Sequence, residues 1–187
     1  MSTFDFAGGI GTSSRLVAYE EGVYTIGALV LSNFGNMRNL TVKGNVVGAE
    51  LNRLFPKEKR RAKSYGSIVV VVATDAPLLS KQLSRIAKRS ALALGRTGSF
   101  AGNTSGEIII AFSTSNRVDR FESGRKKYLN VRFLSDAHLD PLYEAVIEAT
   151  EEAVLNAIFC SNGMDGRNNN YSPPLPHEKV LELIGKK

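Results

Sequence analysis

The run Ile68-Val-Val-Val-Val-Ala73 constrains this chain more than any other stretch. It is too short to cross a bilayer, and it reads as a strand. With no polar alternation, both faces of that strand are expected to be covered. Directly before it stands Gly66-Ser67, and before that a charged run ending near Lys63. Ser67 therefore sits at the mouth of a buried strand. If the chain were cut before it, a hydroxyl and a new α-amino group would share one residue at the edge of a core.

The 187 residues suit a single domain with a substantial core. Hydrophobic residues make up 43% and charged residues 22%, as in ordinary globular proteins. No transmembrane run is present, and Met-Ser-Thr-Phe-Asp-Phe does not read as a secretory signal, so a cytoplasmic protein without a membrane partner is expected. A lone Cys160 excludes an internal disulfide framework, and two distant histidines, His138 and His177, give poor support to a zinc site or a histidine triad. The net charge of +6 comes largely from residues 57–63. Such a run can touch nucleic acid, but it has no interleaved aromatics and no recognition helix, and a solvated linker is the better reading.

Taken in order, residues 7–14 read as a glycine- and hydroxyl-rich loop without the lysine of a phosphate-binding loop. Arg15–Tyr19 and Val23–Leu31 read as a hairpin. The second strand runs into Asn33, either a turn asparagine or a carboxamide offered at a strand end. A short strand at Leu40–Lys43 and a helix from about Val47 to Phe55 follow. Asp75 and Pro77 look like the start of the next helix, with Leu79, Leu83, Ile86, Ala87 and Leu94 on its apolar face and Gly95 as its terminator. Ser105 and Glu107 lead into a second apolar strand, Ile108–Phe112. Two residues apart, they point to one face of extended chain. A carboxylate there needs a cation or hydrogen bonds, or else lies at an edge facing water. Tyr128–Leu134 reads as a further strand, and 140–159 as the longest helix, its glutamates a solvated stripe. The tail 162–176 reads as a loop, with a short helix from near His177. Strands and helices in this order suggest layered sheets covered by helices.

Several stretches together resemble the L-aminopeptidase/D-esterase (DmpA-like) and β-aminopeptidase family of serine peptidases. They are FDFAGGIGTSSR, ALVLSNFG, GSIVVVVATDAPLL, ALGRTGS, NTSGEIIIAFSTSN and LDPLYEAVIEATEEAVLNAI. The resemblance covers about Phe4 to Glu178. It implies a mixed α/β fold, a four-layer αββα sandwich. This chain would correspond to the family's C-terminal part. The N-terminal region, which adds strands, part of the substrate pocket and a tyrosine assisting the oxyanion, would lie outside the sequence. It also implies a precursor that cuts itself at Gly66–Ser67, dividing residues 1–66 from 67–187. Ser67 would become the N-terminal nucleophile, with Ser105 and Glu107 as supporting residues and Asn33 as oxyanion donor. No cofactor or metal is implied. The expected partners are small peptides, amino-acid amides or esters, and further copies of the chain in a homo-oligomer.

The residues agree with that chemistry. A serine hydroxyl needs a base to attack a carbonyl. A free α-amino group, with a reference pKa of about 7.7–8.0, is a plausible one. Ser105 would relay or orient the proton, and Glu107 would hold the ammonium. Two other readings stay open: a non-catalytic, partner-dependent fragment of the same family, and a nucleic-acid binder acting through residues 57–63.

Overall fold

The computed structural model describes residues 1–55, 66–167 and 170–185. The basic run 57–63 lies outside them, as do Asn168 and Asn169. Two short strands, Ser2–Thr3 (β1) and Phe6–Ala7 (β2), form a tight hairpin whose turn residues Phe4 and Asp5 both have positive φ, 50° and 64°. Two-residue hairpin turns require that handedness. Phe4, an unusual residue there, is held by burial against Phe34, and its N–H donates to the Phe34 carbonyl at 2.7 Å.

The chain then makes a long hairpin from Ile10–Tyr19 (β3) and Gly22–Asn33 (β4). The strand starts five residues before the predicted Arg15, because Ile10 to Ser14 pair in register with Leu31 to Gly27. Thr41–Val42 (β5) and Asn45–Val46 (β6) make a small hairpin, and Gly48–Leu54 (α1) is the expected short helix. Ser67–Thr74 (β7) pairs antiparallel with β4. From β7 the chain crosses through Ser80–Arg96 (α2) to Ile108–Ser113 (β8), which lies parallel to β7. A parallel pair requires such a crossover. The sheet order is β3–β4–β7–β8. Arg120–Ser123 (α3), Asp140–Phe159 (α4), the pair Met164–Asp165 (β9) and Tyr171–Ser172 (β10), and His177–Gly185 (α5) complete the described chain.

α4 packs over β3 and β4, and α2 packs against α4 and β8, all on one face of the sheet. The strand residues facing them, including Ile26, Val30, Ile68, Val70 and Val72, are fully buried. So are Val146, Ala149 and Ala153 of α4. Each large aliphatic so buried contributes roughly 1.5–3 kcal/mol. Close approach depends on small residues. A Cβ on Gly11 would overlap the Ala153 carbonyl and crowd Ala157. These elements supply one sheet and one helical layer of the expected four-layer architecture.

Further expectations change. Gly95 lies within α2, which runs on to Arg96, and the tail expected to be a loop holds the β9–β10 pair. Ile68–Ala73 is sealed on one face only: Ile68, Val70 and Val72 are buried, whereas Val69, Val71 and Ala73 are partly exposed. α2 begins at Ser80 rather than beside Asp75, because Asp75 Oδ1 instead accepts from the Thr25 N–H at 2.7 Å. Gln82 Oε1 holds the N–H of Leu79 at the actual helix start. Tyr128–Leu134 forms no strand; the Asn116 carboxamide bonds both the N–H and the carbonyl of Arg132, the role a neighbouring strand would have played. The glutamates of α4 are not simply solvated. Arg15 bridges Glu148 at 2.9 Å and Glu152 at 2.6 Å, and Arg96 pairs with Glu151 at 2.7 Å.

The Arg15 cluster ties α4 to β3 in a pH-dependent way. Hydrogen bonds from Ser13 and then Arg15 hold the Glu152 carboxyl below its ordinary value. A depressed carboxylate stabilises the fold above its unfolded pKa, and that stability is lost as pH falls through the lower folded pKa. Arg15→Met with Ser13→Ala is therefore expected to flatten the stability-versus-pH curve on the acid side. The loss at pH 7 should stay within about 1 kcal/mol, because the pair is well exposed. Urea denaturation across the acid range checks this. Gly11→Ala should cost more, about 1–3 kcal/mol by overpacking, read at pH 7 by the same method.

Candidate active site

The antiparallel ladder between β4 and β7 ends at Asn33 opposite Ser67. Ser67 is exposed at the first position of β7, and Asn33 is half-buried at the last position of β4. Strand order alone thus places the carboxamide beside the hydroxyl residue. The Asn33 side chain is further oriented by β1, where the Ser2 N–H donates to Asn33 Oδ1 at 3.1 Å. That bond occupies the carbonyl end and leaves the Nδ2 end directed at the junction. A Cβ built on Gly66 would lie 3.0 Å from Asn33 Nδ2 and would overlap the Asn33 carbonyl. Only a glycine fits at position 66 without moving the end of β4.

β8 brings the second pair. Because β8 lies parallel beside β7, the turn leading into it arrives at the same end of the sheet as Ser67. In that turn Ser105 N–H donates to the Gly102 carbonyl at 2.7 Å. The Ser105 hydroxyl meets the Gly66 carbonyl at 2.9 Å and Glu107 Oε1 at 2.5 Å. A hydroxyl carries one proton, so Ser105 donates to only one of them at a time. The Gly106 N–H donates to Ser67 Oγ at 3.2 Å. All five predicted positions, Asn33, Gly66, Ser67, Ser105 and Glu107, are therefore gathered around one peptide bond.

Two groups were not foreseen, the N–H of Ser2 and the N–H of Gly106. Both are backbone donors, which a list of side chains cannot reveal. The available signal was the position of Gly106 between two candidate residues. Neither histidine joins the cluster: His177 stacks on Phe159, and the His138 carbonyl accepts from Tyr19. A cavity of about 780 Å³, lined by residues including Ala18, Tyr24, Pro77 and Phe133, lies at the opposite end of the sheet and contains none of the predicted site residues.

The profile of peptidase family S58 matches residues 1–172. The chain belongs to peptidase family S58. It is 36% identical over 194 residues to the β-peptidyl aminopeptidase BapA of Sphingosinicella xenopeptidilytica, covering 98% of this chain and 48% of that protein. Among solved structures, a protein of Pyrococcus horikoshii superposes with a TM-score of 0.87 at 44% identity. The L-aminopeptidase D-Ala-esterase/amidase of Ochrobactrum anthropi, described as a variant of the Ntn hydrolase fold, superposes with a TM-score of 0.88 at 38% identity. In both cases 98% of this chain and 49% of the other are covered. The chain thus spans about half the length of the relatives it matches.

The crowding at position 66 is open to direct measurement. Gly66→Ala is expected to push the ends of β4 and β7 apart and lower stability by about 1–3 kcal/mol. An unchanged denaturation midpoint would show that this close approach is not fixed.

Proposed function

We propose that this chain carries the nucleophile of a serine aminopeptidase that exposes Ser67 by cutting its own Gly66–Ser67 bond. The observation that carries the reading is the arrangement around that bond. Ser67 Oγ is held by the Gly106 N–H at 3.2 Å, and the carbonyl on the other side of the bond faces the Ser105 hydroxyl at 2.9 Å. Membership of family S58 and similarity to a β-peptidyl aminopeptidase support the same reaction class.

In the first stage Ser67 Oγ attacks the Gly66 carbonyl carbon. Its proton passes to the departing Ser67 nitrogen as the C–N bond breaks, leaving an ester between Gly66 and Ser67 Oγ. Water then hydrolyses that ester, giving a Gly66 carboxylate, a free Ser67 hydroxyl and a free Ser67 α-amine. Ser105 polarises the carbonyl by donating to its oxygen. Asn33 Nδ2 and the Gly106 N–H are the nearby donors for negative charge that develops at the junction.

In the second stage the α-amine accepts the Ser67 hydroxyl proton as the oxygen attacks a substrate carbonyl. The resulting ammonium is held in the Ser105–Glu107 network, which gives Glu107 the cation its position calls for. The ammonium then returns its proton to the substrate's departing amine or alcohol as that C–N or C–O bond breaks, leaving an acyl ester on Ser67, which water hydrolyses to the free acid, or another amine takes in a side reaction. Peptides, amides and esters of amino acids with a free amino end are the proposed substrates.

The uncut and cut states differ in mass and in their N-terminal residues. The purified protein, supplied with whatever completes its pocket, is expected to yield two fragments, the smaller beginning at Ser67. Ser67→Ala should leave the chain whole and inactive. Asn33→Ala should reduce turnover about 10²–10³-fold, with most of the loss in kcat. Intact-mass spectrometry and steady-state kinetics on an amino-acid amide read these outcomes. Full turnover by an uncut chain would overturn the reading.

A further inference from the structure

The far end of the sheet holds a cavity that the Ser67 chemistry does not use. It has a volume of about 780 Å³ and lies between the tip of the β3–β4 hairpin and the segment leading into α4. Tyr24, in its lining, and Asn33 stand nearly the whole length of β4 apart, roughly 30 Å at the rise of a strand. The two walls are tied to each other and to the sheet. The Tyr19 hydroxyl donates to the His138 carbonyl at 2.8 Å, and the Leu134 N–H donates to the Pro77 carbonyl at 2.9 Å. Asn116 holds the backbone of Arg132 on both its N–H and its carbonyl. The cavity is therefore formed before any ligand arrives, as small-molecule sites usually are.

Its lining carries both signs of charge around an apolar surface. The Tyr19 and Tyr24 rings, half-buried and 5.6 Å apart, supply aromatic faces. Glu20 and Glu21 line the cavity from the hairpin tip, and Arg132 and Phe133 from the segment before α4. Neither glutamate nor Arg132 has an ion-pair partner among the described residues. Ring faces and carboxylates both favour an ammonium. A guanidinium favours a carboxylate, which it grips with two parallel N–H bonds. A site for a simple cation would gain nothing from Arg132, and the two glutamates would oppose a simple anion. We propose that this cavity binds a small zwitterion, a free α- or β-amino acid. Its ammonium lies against the tyrosine rings and the Glu20 and Glu21 carboxylates, and its carboxylate on Arg132. The volume admits a large side chain against the apolar lining. Such a molecule is also what the proposed Ser67 reaction releases, yet the lining selects it whether or not Ser67 is a nucleophile.

Isothermal titration calorimetry of the purified chain tests this with L-phenylalanine and β-phenylalanine, one for each class. Two stripped analogues accompany them: phenethylamine lacks the carboxylate, and 3-phenylpropanoate lacks the ammonium. At least one amino acid should bind once per chain. Each analogue should bind it about tenfold more weakly or worse, because a charge-assisted hydrogen bond is lost. Glu20→Gln with Glu21→Gln should weaken the amino acid about tenfold and leave 3-phenylpropanoate unchanged. Arg132→Gln should weaken the amino acid to a similar extent and leave phenethylamine unchanged. All three positions are exposed, so the circular dichroism spectrum should not change. Ser67→Ala should bind as the parent does, which separates this site from the junction. The site is overturned if neither amino acid binds at about 10 mM, or if an analogue binds as tightly as the amino acid. Equal binding by the folded charge variants, or loss of binding in Ser67→Ala, overturns it too. Chain cleavage and turnover enter none of these readouts, so the Ser67 reading can fail while this one stands.

Discussion

The pairing of β4 with β7 is the constraint on which the rest depends. It is a long antiparallel ladder with Asn33 against Ser67 at one end and Ile26 against Thr74 at the other. A slip of one residue would exchange the two faces of β7. It would expose Ile68, Val70 and Val72, now sealed beneath the helices, and separate Asn33 from Ser67. The same burial that stabilises the sheet therefore fixes the geometry of the site. This register is enforced because one side of β7 is sealed in the core and the other is not.

The crossover through α2 adds the second half of the constellation. A parallel partner for β7 enters the sheet from the same end at which β7 starts, so the turn before β8 lies beside Ser67. Ser105, Gly106 and Glu107 occupy that turn. Their sequence distance from Ser67 is the length of a strand, a helix and a loop, yet Gly106 is hydrogen-bonded to Ser67 and Ser105 to the Gly66 carbonyl. Gly106 presents its backbone N–H to the Ser67 hydroxyl at 3.2 Å. Gly66 permits the close approach of β7 to the end of β4.

Much of this was legible in the sequence because the signals were strong and local. The composition break at Gly66-Ser67 marked the strand mouth. The two-residue spacing of Ser105 and Glu107 placed them together, and their side chains are hydrogen-bonded. The helix expected over 140–159 followed from its apolar stripe and is present with those bounds. Where the reading failed, a tertiary contact had displaced a local preference. Asp75 is a sound N-cap by type, but it satisfies the Thr25 N–H across the sheet instead of starting α2. Tyr128–Leu134 has strand composition, but Asn116 occupies the polar groups of Arg132. The unbroken apolar run of β7 correctly signalled two apolar faces. It could not say that the described residues cover only one.

That uncovered face bears on the chemistry as well as on the fold. On the proposed mechanism the nucleophile and its base belong to a single residue, so nothing within Ser67 prevents water from reaching the acyl group as soon as it forms. Selectivity for substrates with a free amino end has to come from walls around the site. The described walls lie on the β4 and β8 sides, through Asn33 and the 102–107 turn. None stands above the sheet. Ser67 is exposed for the same geometric reason that Val69 and Val71 are incompletely buried: all three point to the open side. Water kept from that side would be kept from the hydrocarbon surface and from the acyl-bearing residue together. Excluding water also strengthens the Asn33 and Gly106 donors, since the field of an N–H dipole is least screened where the surroundings are dry.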